Sequence, residues 1–300
     1  MHTLADSIQR YLDHITRQRM LSANTVAGYR RDLHLLQQFC EQHQLSDPQY
    51  IQAHHIRLLI AERHHKGSKS KTLQRLLASI RGLFGFLIQQ GESTTNPAQS
   101  IRPPKGEKKL PHTLDVDQMN QLLNFDEEDP LAVRDLAILE LFYSSGLRLS
   151  ELLHLALPDY DQQDHCVRVT GKGNKQRLVP VGRKAQTAID TWLGLRDQFN
   201  PQTDALFISK RGTRLHPSTL QKRFKLWGIK QGIDRNVHPH LLRHSFASHM
   251  LESSGDLRGV QELLGHADIS TTQIYTHLDF QHLAKVYDQT HPRAKKKEEN

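Results

Sequence analysis

Apolar residues recur at helical spacing from the start of the chain. Leu4, Ile8, Tyr11, Leu12 and Ile15 fall on one face and predict an amphipathic helix. Val26, Tyr29, Leu33, Leu36 and Phe39 predict a second, with Ser22 or Asn24 as its candidate cap. A third, short helix is expected from Ile51 to His65, stopping at Gly67. Leu73, Leu76, Leu77, Ile80, Phe84 and Leu87 predict a fourth that stops at Gly91. No strand-like alternation intervenes, so residues 1–90 read as a helical domain. The pattern then lapses over 91–110, where Pro97, Pro103, Pro104, Gly106, Lys108 and Lys109 favour neither helix nor strand. This reads as a linker, with the domain boundary near residue 105.

Residues 111–288 read as a mixed domain. Helical patterns cover Val116 to Leu123, with Asp115 as candidate cap, and Leu131 to Tyr143, closed by Ser144-Ser145-Gly146. Another starts near Ser150. Two short β-runs, 166–170 and 177–181, flank the Gly-rich turn 171–175 and predict a hairpin. Further helices are expected over 185–199, 217–230, 241–251 and 257–264, and from Thr271 into the 283–284 region, with a short strand at Ala205 to Ile208. The sum is a mainly α chain whose second half is α+β with a small antiparallel sheet.

Charge adds a partner class. The 300 residues carry a formal charge of +8, and a surplus of that sign favours a polyanion, most commonly nucleic acid. Arg30, Arg31, Lys66, Lys69, Lys71, Arg75 and Arg81 lie on the polar faces of the first helices. As a group they suit phosphate contacts; singly, each reads as an ordinary solvated side chain. The two cysteines, Cys40 and Cys166, form no C-x-x-C pair, which excludes a disulfide framework and a four-cysteine zinc site. The first residues show no basic segment followed by an apolar core, and no apolar run approaches the ~18 residues that cross a bilayer. A soluble protein of the cytoplasm is expected.

Four segments of the second domain carry candidate chemistry. They are Gly146-Leu147-Arg148-Leu149-Ser150-Glu151-Leu152, the turn Gly171-Lys172-Gly173-Asn174-Lys175, His240-Leu241-Leu242-Arg243-His244-Ser245-Phe246-Ala247, and Leu263-Leu264-Gly265-His266 with Ile274-Tyr275-Thr276-His277. Each alone has an ordinary structural reading. Together they fit phosphoryl transfer with no metal and no cofactor. Two arginines can fork onto non-bridging oxygens and stay charged at any working pH. A lysine on a turn can protonate a leaving oxygen, and histidines can hold a proton near neutrality. A tyrosine attacks only with such help, its free pKa being about 10.

On these segments the chain resembles the tyrosine recombinases, the λ-integrase family, over nearly its whole length. The resemblance implies a helical core-binding domain and a catalytic domain that form a C-shaped clamp on DNA. It implies Arg148, Lys172, His240, Arg243 and His266 as activating residues and Tyr275 as the nucleophile, joined to a 3′ phosphate. Glu151 would orient Arg148. Residues 250–262 and 278–284 are similar to the bacterial Xer subgroup, and to the branch that works with XerD rather than to XerD itself. That implies double-stranded DNA with a dif-like site, a tetramer of two subunits of each kind, chromosome-dimer resolution before cell division, and the translocase FtsK as regulator. The part of the tail up to about Tyr287 is expected to dock on a neighbouring subunit, and the basic end, 289–300, to be disordered.

Three other readings compete. A type IB topoisomerase would use similar chemistry on one strand. A DNA-binding protein would keep these residues without chemistry. A metal-dependent hydrolase is prompted by 20 histidines, but His240 and His244 lack an H-E-x-x-H pattern and a carboxylate set.

Overall fold

The computed structural model describes residues 3–17, 23–104, 113–125, 128–171 and 175–264. The chain divides into two units, Met1–Lys109 and Leu110–Asn300.

The first unit is built from four helices: α1 (Leu4–Arg17), α2 (Ala23–Gln42), α3 (Ala53–His65) and α4 (Ser70–Gln89). Their apolar faces close on one core, in which Ile15, Leu33, Leu36, Ile56, Leu77, Ile80 and Phe84 are wholly buried. Each such side chain contributes about 1.5–3 kcal/mol over an exposed one. Helices α1 and α4 pack so closely that a Cβ on Gly82 would lie 2.1 Å from the Tyr11 hydroxyl. Helix α2 begins at Ala23, so Asn24 lies inside it rather than capping it, and Ser22 is outside the described residues. Helix α3 begins later than Ile51. Asp47 Oδ1 accepts from the Gln49 amide at 2.9 Å and starts a separate 3₁₀ turn, Pro48–Tyr50.

The described part of the expected linker forms neither helix nor strand, as its residues predict. This part, through Pro104, is held against the first unit. Arg10 donates to both Glu92 carboxylate oxygens, at 2.7 and 2.5 Å. Arg81 donates to the carbonyls of Ala98 (2.9 Å) and Ile101 (2.5 Å), and Ser70 Oγ donates to that of Pro104 at 2.7 Å. Ala98 and Ile101 are buried in the helical core. Prolines prevent regular structure here, and side-chain donors satisfy the backbone instead.

The second unit comprises α5 (Val116–Leu122), α6 (Pro130–Ser145), α7 (Leu149–His154), β1 (Tyr160–Asp161), β2 (Cys166–Thr170), β3 (Gln176–Pro180), α8 (Arg183–Arg196), α9 (Pro217–Lys230), α10 (Pro239–Ser254) and α11 (Leu257–Leu264). Helix α6 is apolar around most of its circumference, as a central helix must be. Ala137, Ile138, Leu139, Leu141 and Phe142 are wholly buried. Asp129 caps its start, accepting from the Leu131 amide at 3.1 Å, and Pro130 pre-sets the first turn. The sheet is antiparallel in the order β1-β2-β3, with Tyr160 opposite Val167 and Val167 opposite Val179.

The hairpin stands where the sequence places it. Ala205 to Ile208 does not form a strand of that sheet. It makes two isolated bridges, Ala156 to Ala205 and Ile208 to Arg214. Side chains take its carbonyls: Trp192 Nε1 donates to Leu206 and Arg196 to Ala205, both at 2.9 Å. Helix α8 ends at Arg196, short of residue 199, in a 3₁₀ turn, Asp197–Phe199. Helix α10 starts before Leu241 because His238 Nδ1 accepts from the Leu241 amide at 3.1 Å and Pro239 fits its first turn. Among the described residues no helix is long and apolar enough to cross a membrane. The helix expected from Thr271 lies outside them.

Candidate active site

The site begins where α6 stops. Gly146 takes a left-handed conformation (φ 56°), and its amide donates to the Phe142 carbonyl at 2.9 Å. A Cβ there would meet Phe246 Cδ1 of α10 at 2.3 Å. Only glycine combines this turn with so close a neighbour. The chain therefore reverses against α10 and presents Arg148 as the cap residue of α7.

Glu151 fixes Arg148 twice. Its carboxylate accepts from the Arg148 amide at 2.8 Å and from Arg148 Nη1 at 2.8 Å. Arg177 of β3 forks onto the same carboxylate from within, at 2.9 and 3.1 Å. Burial alone would raise the Glu151 pKa. The hydrogen bonds and charge of Arg177, with those from Arg148, hold it at about 2. Glu151 is thus a buried carboxylate between two guanidiniums.

Arg243 arrives from α10. Nη1 donates to the Gly146 carbonyl at 2.5 Å and Nη2 to that of Leu264 at 2.7 Å. Burial pushes its pKa down to about 10; the nearby charges of Arg148 and Arg177 lower it further and Glu151 opposes them. It remains a cation at neutral pH. Two like charges are thus brought together around the Gly146 turn, with one buried carboxylate behind them. Such a cationic pair in a preformed frame suits an anion with several oxygens.

His240 is exposed on the first turn of α10, one turn before Arg243 and hence on the same face. Its neighbour His238 is held down in pKa by burial and by the charges of His240 and His244. Helix α10 is itself anchored. Ser245 Oγ accepts from the Leu114 amide at 2.9 Å, and His249 pairs with the Tyr143 hydroxyl at 2.9 Å. Burial raises the phenols of Tyr143 and Tyr160 above their ordinary value.

Lys172, His266 and Tyr275 lie outside the described residues, but the segments that lead to two of them are placed. The Gly171 amide donates to the Lys175 carbonyl at 2.8 Å, so the two residues that flank 172–174 in the chain are bonded to each other. A Cβ on Gly171 would stand 3.8 Å from Arg177 Nη1 and 3.9 Å from Glu151 Oε1. The last turn of α11, just before Gly265-His266, gives its Leu263 carbonyl to Arg177 Nε at 3.3 Å and its Leu264 carbonyl to Arg243. Cations at a helix C-terminus match its unpaired carbonyls and its dipole.

Arg177 is one residue whose place the sequence does not announce. A basic residue two positions after a Gly-rich turn reads as solvated, yet it is 8% exposed. Asp135 of α6 is another. It is wholly buried and accepts from Arg134 Nη2 (2.7 Å), Trp227 Nε1 (2.9 Å) and Arg223 Nε. Arg223 is therefore turned inward, whereas Gln221, Lys222 and Lys225 of α9 are exposed. In the first unit Arg75 is likewise engaged, forking onto Asp32 at 2.8 and 2.9 Å, and Arg81 is committed to the Ala98 and Ile101 carbonyls. Arg30, Arg31, Lys66, Lys69 and Lys71 are exposed. Among the described residues no group of three or more His, Cys, Asp or Glu is placed to hold a metal ion.

Comparison with known proteins shows the family. Residues 112–282 match the phage integrase family, and residues 8–91 match the phage integrase N-terminal SAM-like domain. The chain is 51% identical over 296 residues to the tyrosine recombinase XerC of Shigella flexneri serotype 5b (strain 8401), covering 99% of both chains. It is 52% identical over 291 residues to that of Pseudomonas savastanoi pv. phaseolicola (strain 1448A / Race 6), covering 97% of both. Its fold is similar to that of the XerH site-specific recombinase bound to palindromic difH substrate in a post-cleavage complex. There the TM-score is 0.71 at 22% identity, covering 94% of this chain and 84% of that one. It is also similar to the Tn1549 transposon integrase in complex with a circular intermediate DNA, with a TM-score of 0.73 at 18% identity, covering 93% of this chain and 98% of that one.

Proposed function

Since this chain belongs to the phage integrase family, we propose that it is a site-specific tyrosine recombinase that breaks and rejoins DNA through a 3′-phosphotyrosyl link at Tyr275. The observation that carries the reading is the meeting of Arg148 and Arg243 around Gly146, backed by the buried Glu151. In this reading both guanidiniums bind the non-bridging oxygens of the scissile phosphate and neutralise the charge that grows in the transition state. The Tyr275 oxygen attacks phosphorus and the 5′ oxygen leaves. Lys172 gives that oxygen its proton, while His240 and His266 hold or take the phenol's proton. The new phosphodiester keeps the energy of the old one, so rejoining needs no nucleotide.

The first unit acts as the core-binding domain and the second, to about residue 288, as the catalytic domain. The similarity to XerC extends the reading to a dif-like duplex, to XerD as partner in a tetramer of two subunits of each kind, and to FtsK as regulator, in the cytoplasm of a dividing cell. The test uses a nicked duplex carrying a dif-like site, with chelator present and no nucleotide. The protein, alone or with XerD, should leave an SDS-resistant adduct that Tyr275→Phe abolishes. An adduct that persists in Tyr275→Phe moves the nucleophile elsewhere. No adduct under either condition leaves a DNA-binding protein without chemistry.

A further inference from the structure

Arg177 touches two parts of the site that are far apart in the chain. Nη1 and Nη2 hold Glu151, and Nε holds the Leu263 carbonyl at the end of α11. All three donor positions thus face protein acceptors on two separate elements. At 8% exposure the guanidinium has little access to solvent. We propose that Arg177 is a positioning residue that makes one rigid frame of the Arg148 turn and the last turn of α11, from which the chain enters Gly265-His266. This inference rests on the recombinase reading given above, and it assigns a role to a side chain that meets no substrate.

The physical argument has two parts. A buried carboxylate is stable as an ion only when its oxygens are fully partnered. Arg148 supplies one guanidinium bond and one amide bond, and its side chain is 39% exposed. Arg177 supplies the other two bonds from the interior. Without it Glu151 keeps hydrogen bonds from Arg148 alone, with Arg243 acting only through its charge, and its grip on Arg148 depends on its staying ionised. The second part concerns α11. The Leu263 and Leu264 carbonyls are each held by an arginine, and those arginines are bonded to the Gly146–Glu151 segment. A movement of α11 is therefore felt at Arg148 through Arg177, and at Gly146 through Arg243. The charged groups that face Glu151 are Arg148 from its own helix, Arg177 from β3 and Arg243 from α10.

The test compares wild type, Arg177→Gln and Arg177→Lys in single-turnover cleavage of the nicked substrate between pH 5 and pH 8. We expect Arg177→Gln to cleave on the order of 100-fold more slowly with DNA affinity unchanged. Its rate should also fall more steeply than that of the wild type as pH drops toward 5, so that the ratio of wild-type to variant rate grows with acidity. Arg177→Lys keeps the charge but not the fork, so its rate should fall while its pH profile stays that of the wild type. A rate loss that only follows the folded fraction, with the pH profile unmoved in Arg177→Gln, would make Arg177 a plain core residue and overturn the proposal. Hydrogen exchange reads the same frame without chemistry. Arg177→Gln should exchange faster in both 149–155 and 257–264, with α1 to α4 unaltered. Unchanged exchange in either segment overturns the proposal whatever the cleavage assay gives. A wild type that forms no adduct yet shows the paired exchange effect keeps the frame and removes the recombinase reading instead.

Discussion

Glu151, with 2% of its side chain exposed, grips Arg148, with 39% exposed, at 2.8 Å. The buried carboxylate sets the direction of the partly exposed guanidinium. Phosphoryl transfer depends on such aim, since a misplacement of about 1 Å can cost on the order of 100-fold in rate. Glu151→Gln keeps the shape of the side chain and removes its charge. Cleavage of a nicked substrate should slow by roughly 10- to 100-fold while equilibrium binding to the same duplex changes little. A parallel loss of binding would mean that Glu151 holds the fold rather than the aim.

The same carboxyl predicts a pH dependence of stability. In the folded protein its pKa is about 2, below the ordinary 4.5. The unfolded chain therefore takes up the proton first. The stabilisation is fully present above pH 4.5 and fades as pH falls toward 2. At about 1.4 kcal/mol per unit it amounts to about 3 kcal/mol. Urea midpoints measured from pH 7 down to pH 3 should drop more steeply for the wild type than for Glu151→Gln. Equal slopes would place the acid sensitivity in other groups.

Gly146→Ala tests the turn. The substitution forces a left-handed alanine, costing about 1–2 kcal/mol, and drives its methyl into Phe246. The second unit should lose more than about 2 kcal/mol, which for a domain of its size lowers the melting temperature by roughly 4–8 °C. Phe246→Leu in the same chain should recover part of that loss, leaving the backbone strain. Calorimetry of both variants separates the two contributions.

Basic residues of the first unit should sort by what they already hold. Lys69 is exposed, whereas Arg75 forks onto the buried Asp32. Lys69→Ala should lower the slope of log affinity against log salt by about 1. Arg75→Ala should leave that slope unchanged and lower stability, because Asp32 loses its counter-ion. Fluorescence anisotropy over a sodium chloride series, beside thermal unfolding, decides between them.

The legible parts of this chain were those governed by near neighbours. Leu73, Leu76, Leu77, Ile80, Phe84 and Leu87 mark α4 because one helix face meets one core. The hairpin of β2 and β3 is readable because its turn residues sit between its two β-runs. Gly146, Arg148, Glu151, His240 and Arg243 stand in segments whose resemblance to a family is specific. What stayed hidden depends on distant partners. Leu206, Phe207 and Ile208 have the composition of a strand, but their neighbours are side chains of α8 that no local pattern announces. Arg177, Arg75 and Arg81 look solvated because their acceptors, Glu151, Asp32 and the Ala98 carbonyl, lie elsewhere in the chain. The two-residue β1 carries too little pattern to be seen at all.

Helix α9 divides its circumference in a way that bears on how such a protein changes over generations. Leu220, Phe224 and Trp227 enter the core and Arg223 reaches Asp135, so orientation is settled on the inner side. Gln221, Lys222, Lys225 and Ile229 take no part in that seat. Exchanges at these outer positions leave the packing of α9 as it was. The helix can acquire new surface chemistry by single substitutions while its place in the domain is inherited intact.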